Sequence, residues 1–471
     1  MAAPIWQWGA AETAAAIRDR KIRCVDAVAA AVDRLHAVNR SVNAVTVDLS
    51  KEALEQAERA DATAASGVAL GPLHGVPITI KENVDQRGEA TPNGIPAFAN
   101  LVAKEDSPVV RNLRRAGAIV IGRTNTPEFS YRWFTDNPLR GKTLNPWDAT
   151  VTPGGSSGGA AASVALGIGA IAHGNDLGGS LRYPAYACGV VSIRPSFGRV
   201  PAYNPTAAEE RPPTVQLMSA QGPICREVRD VRLALAAMAE RDPRDPWWVP
   251  APLEWPRPTA AIRIAVTAAP AGLPCDPAVR AAIDVAAGHL SDAGYAVEAI
   301  DPPAVDAVAE CWRKLITTDS RVLSAEAFKK LGSADFNRSF GDMMAAVPEQ
   351  NLDNYVRALG ERTRLQRLWA LFMEDHPLIL APVSQVPPFP QDADLQGANR
   401  VRQMLDEQAL LYGVNLLGLP SVAVPTGLHG KVPIGVQIIG QRFREDMCLD
   451  AAAAIERQVG ILPRRLWTAT P

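Results

Sequence analysis

The sequence predicts an α/β fold, and three features point to it. Short apolar runs such as Val76 to Ile80 and Ala118 to Gly122 alternate with segments whose apolar residues recur at helical spacing. That alternation builds a largely parallel sheet covered by helices on both faces. Glycine, proline and capping residues mark the joints between the two kinds of segment. At 471 residues, 47% hydrophobic and 21% charged, the chain also has ample apolar material for a large core.

Taken in order, Ala10 to about Val47 carries Ala, Ile and Val at helical spacing among Arg, Asp and Glu, which predicts amphipathic helices. The turn cluster Gly71 to Gly75 precedes a buried strand, Val76 to Ile80, which places Lys81 at a strand's carboxyl end. Ser107 as N-cap and Pro108 at the first helical position open a helix to about Ala116, and Gly117 closes it before the strand Ala118 to Gly122. Ala160 to Ala172 is too short to span a bilayer and reads as a buried helix and strand. Six prolines and three tryptophans between Arg241 and Pro258 predict a long ordered loop. A strand-helix-strand unit follows at 262–266, 276–293 and 295–299, then helices over 305–372. Two strands at 420–425 and 433–440 and a helix from about Glu445 complete the pattern.

Lys plus Arg (48) and Asp plus Glu (50) nearly cancel. The chain therefore lacks the basic footprint of a nucleic-acid or anionic-membrane binder, and a small, roughly neutral partner is expected. The start, Met1 to Trp8, has no basic segment followed by an apolar one, so a cytoplasmic protein is expected. The six cysteines are scattered, with no C-x-x-C, and predict free buried thiols rather than a zinc site or disulfide framework.

Two glycine-serine clusters carry the chemistry: Pro153 to Gly159, and Gly174 to Arg182. Successive glycines let several backbone N–H groups converge on one point, a shape suited to a phosphate or a developing oxyanion. An isolated cluster of this kind is more often a plain turn. Gly154-x-Ser156-x-Gly158 could also be a nucleophile elbow, which demands a later histidine; His173, His289, His376 and His429 follow, none within a motif. Neither phosphate-loop pattern is present.

Lys81-Glu-Asn, Gly154 to Gly159, Asp176 to Pro184 and Cys188 to Val200 together resemble the amidase signature family, with Lys81, Ser156 and Ser180 spaced by 75 and 24 residues. Gly117 to Phe129, Leu144 to Trp147 and Gly418 to Pro425 extend the likeness to about residues 10–465. The resemblance implies a single domain over 1–471, an α/β/α sandwich with a large, mixed, mostly parallel twisted sheet. The signature core would lie at about 70–200 and a variable helical cap at about 305–400.

It also implies a Ser-cisSer-Lys triad without cofactor or metal. Ser180 would attack the carbonyl, Ser156, after a cis Gly155–Ser156 bond, would relay the proton, and neutral Lys81 would accept it. Leu177, Gly178 and Gly179, with the Ser180 N–H, would form the oxyanion hole, and Asp176 and Arg182 would brace that loop. A neutral lysine requires burial away from charge, and alternation along the strand turns Glu82 away from it. Glu82, Asn175 and Ser192 stand where the family more often has Asp, Thr and Gly; none removes a catalytic atom.

The expected activity is hydrolysis of an amide C–N bond, with carbamates and esters offering similar carbonyls. Tyr131, Trp133 and Phe134 are expected to line the substrate pocket. The expected partner is a small amide or carbamate, with no nucleic acid and no membrane, bound by a monomer or homodimer. The alternative within the family is the glutaminase subunit of a tRNA-dependent amidotransferase. That role needs a cation for the glutamine α-carboxylate, and Arg357, Arg362, Arg364 and Arg367 are the candidates.

Overall fold

A computed structural model of the chain describes residues 3–256 and 259–469. The last two residues of the loop expected over Arg241–Pro258, and the first two and last two of the chain, lie outside the described residues. Eleven strands form one sheet: β1 (Val45–Asp48), β2 (Pro77–Lys81), β3 (Ile119–Thr124), β4 (Ile171–Asp176), β5 (Val191–Arg194), β6 (Ala220–Cys225), β7 (Arg263–Val266), β8 (Ala296–Ala299), β9 (Leu378–Pro382), β10 (Ser421–His429) and β11 (Val432–Gly440). Their order is β1-β3-β2-β4-β6-β5-β10-β11-β9-β7-β8.

The fold is α/β with a large mixed sheet, but its parallel share is smaller than expected. Parallel pairing is confined to β3-β2-β4 and β9-β7-β8; every other neighbouring pair is antiparallel. The reason is topological. A helix between two strands gives a parallel pair only if the second strand lands beside the first. β5 follows β4 through the helix Arg182–Cys188, yet β6 returns antiparallel between them. β10 and β11 are a hairpin.

The amino-terminal helices run over Ala10–Arg18 and Cys24–Val38, and the periodicity expected to reach Val47 stops short. Val45-Thr-Val-Asp48 is instead an edge strand against β3, as its β-branched residues favour. The helix Pro108–Arg115 precedes β3, and Pro277–Asp292 lies between β7 and β8. Residues 305–375 are helical in pieces: Val305–Asp319, a π-helical turn Ser320–Ser324, Ala325–Leu331, Ala334–Ala346 and Leu352–Asp375. All six cysteines are unpaired thiols, five of them buried. Among the described residues no helix is long and apolar enough to cross a membrane.

Two neighbouring parallel strands position the site. β2 and β4 both end at the same edge of the sheet, β2 on Lys81 and β4 on Asn175-Asp176. The two glycine-serine clusters flank the helix Gly158–Ala165 that connects into β4.

Candidate active site

Every residue of β2 is buried, so Lys81 is carried into the interior by Ile78 and Ile80 on either side of Thr79. Its side chain is 0% exposed, and burial drives the ammonium form far down from the ordinary lysine range, against a smaller opposing pull from Asp176. Three oxygens surround Nζ: Ser156 Oγ at 2.7 Å, Asn175 Oδ1 at 2.9 Å and Ser157 Oγ at 3.2 Å.

Their chemistry orients the amine. Asn175 Oδ1 can only accept, and Ser157 Oγ donates its own proton to the Asn175 carbonyl at 3.4 Å. Both hydrogens of a neutral Lys81 are thereby directed to Asn175 and Ser157, which leaves the lone pair facing the hydroxyl of Ser156. Asn175 is held in turn, since its Nδ2 donates to Asn83 Oδ1 (3.1 Å) and Asn83 Nδ2 donates to Ser130 Oγ (2.9 Å). Glu82 lies elsewhere, accepting from Arg140 Nε at 3.1 Å and Thr46 Oγ1 at 3.3 Å.

The Gly155–Ser156 peptide bond is cis. Gly155 sits against the backbone of Arg132, Trp133 and Phe134 so closely that a Cβ there would overlap the Arg132 carbonyl oxygen. Glycine is the residue that lets this turn approach its neighbour.

The Asp176 carboxylate organises the second cluster. It accepts from Gly179 N (2.7 Å) and Leu181 N (3.2 Å), from Arg182 Nε (3.0 Å) and Nη2 (3.1 Å), and from Asn415 Nδ2 (2.9 Å). Burial alone would raise its pKa, but the charge and hydrogen bonds of Arg182, with Arg194 and Asn415, hold it down at about 2. Arg182 is itself fixed by Gln437 Oε1 (3.0 Å), Leu411 O (2.9 Å) and Asn415 Oδ1 (2.7 Å). Gly179, at φ +105°, bends the loop in a conformation that side chains resist.

One expected oxyanion donor is already engaged: the Gly179 N–H is taken by Asp176. Leu177, Gly178 and Ser180 N–H have no acceptor among the described residues. The Leu177 carbonyl receives Trp312 Nε1 at 3.1 Å.

Ser156, Asn175, Leu177 and Ser180 share the wall of one cavity of about 700 Å³. Ser156 and Ser180 are not joined by a hydrogen bond among the described residues, so the contact closed here is Lys81 to Ser156. Tyr131 lines the cavity together with Phe129, Ile316 and Phe328. Trp133 and Phe134 do not. Trp133 is turned into the core, where Nε1 donates to Gln408 Oε1 (2.9 Å) and Tyr412 OH (3.2 Å), and Phe134 is 1% exposed. Tertiary partners separate them: Gln408 and Tyr412 draw the Trp133 indole inward, away from the wall that Tyr131 lines.

No histidine reaches Ser156 through a hydrogen bond among the described residues. His173 on β4 is buried and pushed down to about 3 by that burial, and the neutral ring contacts Gln221 Oε1 at 2.8 Å. The four candidate arginines lie off the cavity wall: Arg357 and Arg364 pair with Asp353 and Glu361, while Arg362 donates to the Leu416 carbonyl. Arg211 and Arg244 are on the wall instead. Ser157, Asn415 and Gln437 were not singled out from the sequence. The signal for the last two was present as single polar residues inside the apolar runs 414–417 and 434–439.

The chain belongs to the amidase family, whose model matches residues 26–449. It is an α/β amide hydrolase acting on carboxylic amide C–N bonds. It is 52% identical over 466 residues to the indoleacetamide hydrolase of Bradyrhizobium diazoefficiens, across 98% of this chain and 89% of that one. A glutamyl-tRNA(Gln) amidotransferase chain of Moorella thermoacetica is a more distant likeness, 32% identical over 95% of both chains. A bacterial aryl acylamidase of the amidase signature family superposes with a TM-score of 0.85 at 27% identity, over 98% of both chains.

Proposed function

We propose that the chain hydrolyses an arylacetamide of the indole-3-acetamide type to the carboxylic acid and ammonia, with Ser180 as nucleophile, Ser156 as proton relay and Lys81 as base. The observation that carries the chemistry is the buried Lys81 Nζ 2.7 Å from Ser156 Oγ, on a cavity whose wall also bears Ser180. The substrate class rests on the 52% identity to an indoleacetamide hydrolase and on the apolar lining of Val84, Phe129, Tyr131, Ile316 and Phe328.

Ser180 Oγ attacks the carbonyl carbon while its proton passes to Ser156 and the Ser156 proton passes to Lys81 Nζ. The oxyanion accepts from the free N–H groups of Leu177, Gly178 and Ser180, held in register by Asp176. Reversal of the relay protonates the departing amide nitrogen, which leaves as ammonia. Water repeats the cycle on the Ser180 ester and releases the acid. The setting proposed is cytoplasmic, where six unpaired thiols remain reduced.

The test is ammonia release from indole-3-acetamide by the purified chain, alongside glutamine and the carbamate and ester analogues. Turnover of the arylacetamide in preference to glutamine is expected. Glutamine hydrolysis awakened only by a co-purifying partner would replace this reading with the amidotransferase role.

Asn175 offers a finer check on the base. In Asn175→Asp a carboxylate stands beside Nζ and favours the ammonium, so the acidic limb of kcat/KM against pH should move up by about one pH unit or more. A limb that stays in place would refute Lys81 as the base.

A further inference from the structure

The helix Val305–Asp319 presents one stripe to the cavity. Trp312 touches the nucleophile loop through the Leu177 carbonyl, and Ile316, Asp319 and Ser320 follow on the same face at positions i+4, i+7 and i+8. Asp319 therefore lies about two turns, ~10 Å, along the helix from that contact, where the far end of an acyl group would reach. The π-helical turn Ser320–Ser324 begins directly after it, and such turns recur at functional sites.

Asp319 is 6% exposed. Its Oδ2 accepts twice, from Thr214 N (2.8 Å) and Thr214 Oγ1 (2.6 Å), and its Oδ1 accepts once, from Tyr355 OH (2.7 Å). A carboxylate oxygen offers about two acceptor positions, so Oδ2 is full and Oδ1 has one left. No ion pair to Asp319 is present among the described residues. Arg321 Nη2 is held by the carbonyls of Met344 and Val347 at 2.6 Å each, and the Tyr131 hydroxyl lies 3.2 Å from Ser320 Oγ. The carboxylate thus lines the cavity with one acceptor position unfilled. The rings of Tyr131 and Phe328, 5.5 Å apart and edge-on, add an apolar surface to the same cavity wall.

We propose that Asp319 is a specificity-determining residue: its open Oδ1 position accepts a hydrogen bond from a ring N–H on the acyl group, so that the cavity prefers N–H-bearing bicyclic arenes. This rests on the arylacetamide reading above and narrows it. A carboxylate with one open acceptor position discriminates against a substrate that lacks the donor, because the charge-assisted bond at that position is then not made.

The experiment compares indole-3-acetamide with its benzothiophene isostere, which has a similar shape and no N–H, in the wild type and in Asp319→Asn. The wild type should favour the indole by about tenfold or more in kcat/KM, chiefly through KM. In Asp319→Asn the two substrates should converge to within about threefold, with the isostere little changed. A parallel loss on both substrates would mark Asp319 as a brace for Thr214 and Tyr355 only, and would overturn the inference. The wild-type comparison stands even if the variant does not fold: equal use of both amides refutes Asp319 alone, whereas turnover of neither refutes the arylacetamide reading as well.

Discussion

Ser180→Ala is expected to lower kcat by about 10⁴-fold or more, since removing a nucleophile removes the covalent route altogether. The protein should remain folded, because the hydroxyl is only partly buried and anchors nothing through a hydrogen bond among the described residues. KM for an amide should change little, as the cavity wall keeps its shape. Labelling by a fluorophosphonate should vanish in the same variant. Labelling that persists at the wild-type rate would place the nucleophile elsewhere, with Ser156 the next candidate.

Lys81→Met should also abolish most activity, by about 10³-fold, but its second effect separates a neutral buried lysine from a charged one. Burial lowers the folded-state pKa of Lys81 below its unfolded value. Between those two values the unfolded chain binds a proton that the folded chain does not, so wild-type stability rises with pH across that window. Methionine has no such proton. The Tm difference, variant minus wild type, should therefore grow in the variant's favour as pH falls from the ordinary lysine range toward neutrality. Hydrogen bonds lost to Ser156, Ser157 and Asn175 offset the Tm at every pH but not its slope. Parallel Tm curves for the two proteins would refute the neutral lysine.

Local chemistry made much of the architecture legible. The run Val76 to Ile80 specified a buried strand and hence an interior Lys81, and the order of apolar runs and helical segments located most elements. Strand neighbours were less legible, because nothing within β6 announces that it will lie between β4 and β5. The amino-terminal pattern overran into Val45–Asp48, where edge pairing with β3 outweighed the surrounding helical periodicity.

In the site, the glycine clusters were legible from composition and the role of Lys81 only through the resemblance to the amidase signature family, whereas residues acting across long separations were not. Asn415 reaches Asp176 across 239 residues, and Gln437 reaches Arg182 across 255. The wall residues show the same limit: Tyr131 lines the cavity, whereas Trp133 is held in the core by Gln408, 275 residues away, a partner that composition does not reveal. Asp319 had no motif around it at all. Its interest comes from counting which of its acceptor positions are filled.

The carboxylate that clamps the loop after β4 and the proposed base on β2 are both buried, yet one is held in its charged form and the other driven toward its neutral one. Arg182 and the surrounding donors keep Asp176 ionised down to about pH 2, whereas burial disfavours the charged form of Lys81. On the proposed mechanism, any loss of activity in acid above about pH 2 therefore leaves the clamp on the Gly179 and Leu181 amides in place, and is expected to reverse without rebuilding the loop.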